Sequence, residues 1–439
     1  MLVVFSKFRL DDLGSFSQFK TMKLAIDLRF YQPEPYGLAI HIRDLFTELV
    51  PLLLDNDQFS QVVLIFDKKL ERQDLSQFLS WWEIVQHYPK FQIYFSRAKY
   101  YSFEEQTGFL LDLNQLKCDL VYFFTFNYPI LYRRPFVYQV LDLSIPKTRP
   151  RWNLRVQAML LCLRAGLANA KHIIFLGKNT LADAERFSKY QFSQPNQVNY
   201  RPNSVVYNGL NPRYLTQTSA DFSKAQLTGL PFDPEQALKL NTLLSSKKIS
   251  KPYFLFVSVW RKYKNIERLV EAFAKFQAKY KNAYQLVLGG RFDPKYPEIQ
   301  KFVTTHPQFT SGNIIVLGEI SDDSELILLQ DGAFGFVAPS LSEGFGLWMV
   351  EATSRGTPVV CSDIPIFHEI LQDDGACFFD PKEVSSIAKT LEFFVQTDSN
   401  QIEAMVKRAI TYTKPFRWSN IAKQINHILT EALHDQKTK

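Results

Sequence analysis

From Lys23 onward, short unbroken apolar runs alternate with longer stretches in which apolar residues recur every three or four positions. The unbroken runs predict strands covered on both faces, as parallel sheets require, and the wider spacing predicts helices with one covered face. In the first half the predicted strands are residues 24–28, 62–66, 119–124, 136–141, 173–176 and 204–207. A turn through Pro33, Pro35 and Gly37 leads into a helix with Ile40, Asp44, Leu45 and Leu49 on one face. A second helix, 153–168, places Val156, Met159, Leu160, Leu163 and Leu167 together. The second half repeats the pattern, with strands at 253–257, 285–288, 314–317, 335–338 and 357–361 and helices at 266–280, 322–329 and 347–355. Between the halves, residues 212–250 are polar and rich in Ser, Thr, Gln and Lys, and read as a linker or peripheral insertion.

Strand and helix in strict alternation predict an α/β chain of two Rossmann-like, doubly wound parallel-sheet domains facing a cleft. The expected boundaries are 22–211 and 251–414, and residues 1–21 read as an N-terminal extension. With 439 residues there is chain enough for two buried cores. Ligands of such sheets bind at the carboxyl ends of the strands.

Composition narrows the partners. Apolar residues make up 46% and charged residues 22%, an ordinary globular balance, and the net charge of +7 suits anionic substrates or an anionic membrane surface. No dense Lys/Arg run or nucleic-acid motif points to DNA or RNA. Cys118, Cys162, Cys361 and Cys377 are scattered, without metal-ligand spacing, and read as buried thiols of a reducing compartment. The expected location is cytoplasmic, either free or peripheral at the inner face of the membrane. Arg149, Arg151, Trp152, Arg155 and Arg164, near one amphipathic helix, are the residues that would touch a membrane; the alternative, which the sequence favours, is a solvated helix face. The N-terminus gains charge too early for a signal peptide.

The densest chemical signal is S-L-S-E-G-F-G-L-W-M-V-E-A-T, residues 340–353. Glu343 and Glu351 bracket a Gly344-Phe345-Gly346 turn between an apolar strand and a helix beginning near Leu347. Such a turn offers backbone N–H groups and the positive end of a helix dipole to an anion, and glycines let the backbone come close. The two carboxylates can accept hydrogen bonds from hydroxyls at either end of a ligand whose phosphates lie between them. A sugar nucleotide has that arrangement.

The segment resembles the E-x7-E motif of the retaining family-4 glycosyltransferases, and G-T-P-V-V-C-S-D-I-P, residues 356–365, continues the likeness. The resemblance implies a GT-B fold and a metal-independent transfer of a hexose-type sugar from a nucleotide-sugar donor to a glycan or lipid-linked acceptor. No resident cofactor is implied. Within 253–273, Lys264 aligns with the family's lysine for the donor diphosphate; Tyr263 replaces the usual arginine, and Arg261 is the nearest substitute. Glu343, Lys264 and Arg261 are therefore the expected catalytic residues. Glu351, Gly344, Phe345, Gly346 and Leu347 are expected to bind the donor, together with Gly289 from Q-L-V-L-G-G-R and Gly318 from G-E-I-S-D-D. The opening segment, residues 25–41, resembles the family's first strand and glycine loop, with Gly37 retained and Ala39 in place of the second glycine. V-Y-N-G-L, residues 206–210, resembles the turn before the family's linker. Residues 415–439 resemble the family's terminal F-x-W segment and the helix that returns to the first domain.

V-L-D-L, residues 140–143, stands where the family carries a His-Asp pair, with Leu141 at the histidine and Asp142 retained. A leucine facing the sugar would favour a donor lacking a hydroxyl there, such as a 6-deoxyhexose; a leucine in the core would leave the site indifferent. The departures at Leu141, Tyr263 and Ala39 also keep open a catalytically weak or inactive sugar-nucleotide-binding protein of the same fold.

Overall fold

The computed structural model describes residues 22–33, 37–143, 152–193, 200–215 and 234–434. The extension 1–21, Arg149, Arg151 and the middle of the polar 212–250 segment lie outside the described residues. Each expected strand is present, with ends shifted by a few residues.

The first half runs β1 (Met22–Asp27), α1 (Gly37–Asp55), β2 (Phe59–Asp67), α2 (Trp82–His87), β3 (Phe91–Ser96), α3 (Phe103–Leu116), β4 (Leu120–Phe123) and β5 (Phe136–Val140). It continues with α4 (Leu154–Asn169), β6 (His172–Phe175), α5 (Lys178–Phe187) and β7 (Asn203–Val205). The second half begins with α6 (Pro234–Ser246), β8 (Tyr253–Val257), α7 (Ile266–Lys279) and β9 (Gln285–Gly289). Next come α8 (Pro297–Thr305), α9 (Pro307–Thr310), β10 (Ile314–Gly318), α10 (Asp323–Asp331), β11 (Gly335–Ala338) and α11 (Leu347–Ser354). The chain then forms β12 (Val359–Ser362), α12 (Pro365–Leu371), β13 (Cys377–Phe379), α13 (Val384–Gln396), α14 (Ser399–Thr413) and α15 (Trp418–His434).

Among the described residues the strands make two sheets, of seven in the order β3-β2-β1-β4-β5-β6-β7 and of six in the order β10-β9-β8-β11-β12-β13. Pairing is parallel, as in β8 with β9 and β11 with β12. Described residues within Met1–Tyr138, Asn169–His172 and Ile425–Lys439 form one compact unit, and those within Gln139–Ala168 and Ile173–Gln424 form the other.

In the first unit, the carboxyl end of β1 carries a buried charge cluster. The Arg29 guanidinium donates to Asp27 and to Glu105 at 2.9 and 2.8 Å and stacks 3.2 Å from the Phe109 ring centroid. Burial pushes the Glu105 carboxyl above its ordinary range, against the pull of Arg29. These groups are fully enclosed, so they brace the end of β1 rather than offer a surface.

In the second unit, β8 reads Tyr-Phe-Leu-Phe-Val with every residue buried, as a central parallel strand should. Helix α7 covers one face of that sheet through Ile266, Leu269, Val270, Phe273 and Phe276, the expected three-to-four spacing. Helix α6 lies inside the segment expected to be linker. Leu240 on it is fully buried, and Leu243 and Leu244 pack against the apolar cluster that contains Tyr253 and Leu329. Among the described residues no helix is long and apolar enough to cross a membrane.

Candidate functional site

The order of the second sheet reverses between β8 and β11. Chain leaving β8 and chain leaving β11 therefore diverge at their carboxyl ends, opening a crevice there. After β8 come Ser258 and a single 3-10 turn, Lys262–Lys264; after β11 come Ser340, Glu343 and the glycine turn. A cavity of about 20 Å³, lined by Ser258, Lys264, Ser340, Glu343, Gly346 and Trp348, marks where the two loops meet.

Lys264 donates to Glu343 Oε1 at 2.5 Å, and Ser340 Oγ donates to the same oxygen at 2.7 Å. The Lys264 and Glu343 side chains are only 10% and 13% exposed, which shields the pair from solvent screening. Asn265 holds this arrangement. It takes a left-handed backbone, φ 61°, and its Nδ2 donates to the carbonyls of Pro339 and Pro381 at 3.0 and 2.7 Å. One amide thus ties the loop after β8 to the loop after β11. Asn265 was not among the expected residues, although Asn is a residue type that tolerates positive φ.

The glycine turn ends at Gly346, φ 92°, which caps α11 and has no side chain to bond the first helical N–H groups. A Cβ at Gly346 would stand 2.8 Å from the Phe367 ring, so both backbone and space demand glycine. An anion at this end of α11 would meet the helix dipole and the Lys264 ammonium together. Leu347 opens the helix. Phe345 is buried, its ring 5.5 Å from that of Phe416, so its side chain anchors the turn from below. Glu351 is buried on α11, 4% exposed.

Arg261 departs from Lys264. Its Nε donates to Asp293 Oδ2 at 2.8 Å. Burial opposes the charge, but Asp293 and Tyr263 together outweigh it and hold the guanidinium pKa above its ordinary value. Gly289 ends β9, where a Cβ would press on Ile320 at 2.8 Å. The stricter demand is at Gly290, φ 110°, whose Cβ would fall 1.8 Å from the Ser258 carbonyl oxygen. Gly290 N–H donates to the Gly318 carbonyl at 2.6 Å, so Gly318 braces this corner while its own Cβ position is open. Gly37 begins α1 in the other unit.

Leu141 and Asp142 do lie beside the turn. A Cβ on Gly344 would be 3.5 Å from Asp142 Cβ and 3.6 Å from the Leu141 carbonyl oxygen. The Leu141 side chain is half-buried against the apolar cluster that contains Phe345 and Met349.

Residues 245–414 match the family described as Glycosyl transferases group 1. The family's domain thus runs from the end of α6 to the end of α14. The glycosyltransferase is 27% identical over 263 residues to O-antigen chain mannosyltransferase B of Escherichia coli, covering 56% of this chain and 68% of that one. It is 29% identical over 187 residues to O-antigen chain mannosyltransferase RfbU of Salmonella typhimurium, covering 42% of this chain and 49% of that protein. The match thus spans about half the length of the second relative. Among solved structures, sucrose-phosphate synthase of Thermosynechococcus elongatus superposes with a TM-score of 0.67 at 18% identity, covering 94% of this chain and 100% of that one. The Anabaena protein HepE, in complex with UDP and glucose, superposes at 0.63 and 15% identity over 93% and 99%. The fold of the glycosyltransferase is GT-B.

Proposed function

We propose that this enzyme moves a hexosyl residue, mannose first among the candidates, from a nucleotide-linked donor to a glycan or lipid-linked acceptor, with retention at the anomeric carbon and without a metal. The observation that carries the reading is the Lys264–Glu343 pair at the β8/β11 crevice, beside the uncapped N-terminus of α11. The cavity holds little more than a water, so the donor lies across its mouth. Its diphosphate rests on the first N–H groups of α11 and on Lys264, Glu343 turns to a sugar hydroxyl, and Glu351 reaches the ribose. The names of the two mannosyltransferases support the sugar.

Negative charge on the diphosphate grows as the glycosidic bond breaks, so a fixed cation and an oriented helix end stabilise the transition state more than the ground state. The acceptor oxygen attacks from the face the phosphate leaves. Its proton passes to the departing phosphate oxygen, and no protein nucleophile is required. Incubation with UDP-, GDP-, ADP- and dTDP-linked sugars, followed by NMR of the product anomer, tests this. Retention with nucleotide-linked mannose is the expected result. Binding of the sugar nucleotides with no release of nucleoside diphosphate would instead favour the inactive binding protein.

A further inference from the structure

Helix α4 presents an apolar stripe to solvent. Leu154, Ala158, Leu161 and Ala165 recur at the helical spacing of one face, and Leu154 and Leu161 are 86% and 55% exposed. The opposite face, Val156, Met159, Leu160, Leu163 and Leu167, is buried, so the exposed leucines are additional to what packing requires. Trp152, just ahead of the helix, is 81% exposed. On the helical wheel Arg155 flanks the stripe on one side and Gln157 and Arg164 on the other, all exposed. The helix carries no carboxylate, and residues 143–182 contain seven Lys or Arg and no Asp or Glu.

We infer that α4 is an interfacial helix that lies in the plane of an anionic lipid surface. Leu154 and Leu161 enter the acyl boundary, Trp152 sits at headgroup level, and lipid phosphates meet Arg155 and the terminal nitrogens of Arg164, whose Nε donates to the Phe187 carbonyl at 3.0 Å. An apolar stripe between cationic flanks is the arrangement that binds such an interface, where burial of apolar area and attraction to anionic lipid add. A second copy of this chain fits less well, because pairing α4 with itself brings like charges together with no carboxylate to neutralise them. The inference concerns attachment alone and holds whichever sugar is transferred.

The test is co-sedimentation of the whole protein with phosphatidylcholine vesicles, with and without phosphatidylglycerol. The protein should pellet with the anionic vesicles and be released by salt, as exposed charges a Debye length apart are screened. Trp152 emission should shift to the blue on binding, a change absent in Trp152→Phe. Leu154→Ser with Leu161→Ser should weaken partitioning roughly tenfold or more, with melting temperature and turnover of a water-soluble acceptor unchanged. Equal behaviour with and without phosphatidylglycerol, or no loss in the double variant, would overturn the inference. So would a concentration-dependent dimer abolished by the double variant without vesicle binding.

Discussion

At the scale of single residues, the two members of the central ion pair have opposed roles. Glu343 neutralises Lys264, and the proposed donor diphosphate would have to compete with it for the same ammonium. Glu343→Gln removes both the competitor and a nearby negative charge. It is therefore expected to tighten binding of a free nucleoside diphosphate by about five- to tenfold while cutting transfer strongly. Lys264→Ala is expected to weaken the same binding by about 1.5–3 kcal/mol. Isothermal titration with the preferred diphosphate and a turnover assay read both changes. Wild-type affinity and wild-type turnover in Glu343→Gln would reduce the pair to a structural bridge. Lys264 and Glu343 were candidates from the motif, and the two side chains do meet. Asn265 acts through carbonyls 74 and 116 positions away, and nothing local marked it; Ser340 acts on Glu343 from three positions away, as one hydroxyl among several in the segment.

At the scale of elements, β8 and α7 followed from periodicity because they bury the residues their patterns select, whereas β3, β13, α3, α13 and α14 were not among the expected elements. Helix α6 escaped because one buried leucine, Leu240, and two partly buried ones hardly raise a polar segment above its background. The cap of α5 was equally invisible. Glu369, carried by α12, accepts from the backbone N–H groups of Lys178 and Asn179 at 2.6 and 3.0 Å and from the Tyr207 hydroxyl at 2.8 Å. A carboxylate some 190 positions away thus does what a local Ser or Asp usually does. The same applies at the far end of α11, where Arg355 donates twice to Asp331 on α10, at 2.7 and 2.6 Å. Burial raises the Asp331 pKa and Arg355 opposes it. Arg355→Met would leave that carboxylate enclosed and unpaired, at a cost of about 3–5 kcal/mol. The sign with pH follows from the raised pKa: the carboxylate binds its proton more readily folded than unfolded, so the loss grows as pH rises and shrinks as Asp331 protonates in acid. Urea denaturation at about pH 5 and pH 8 checks the trend, and Asp331→Asn added to Arg355→Met should recover part of the loss.

At the scale of the molecule, the proposed donor contacts divide unevenly: Lys264, Arg261, Glu343, Glu351, Gly289 and Gly318 belong to the second unit and Gly37 to the first. A nucleoside diphosphate that binds through the second unit alone should slow amide hydrogen exchange in the 3-10 turn 262–264, at the start of α11 and around Gly290. A bound ligand lowers the population of open states and stabilises by mass action. The 20 residues of α4 and its approach supply an internal reference that the ligand should leave unchanged (residues 152–171). The start of α1 is the informative place. If Gly37 takes part in donor binding, exchange at 37–40 should slow with the nucleotide-linked sugar. Protection confined to the second unit, with both the diphosphate and the full donor, would remove Gly37 from the site. Lack of protection at the start of α11 would count against the donor site itself, because that helix end and Lys264 are where the proposed mechanism puts the charge of the leaving group.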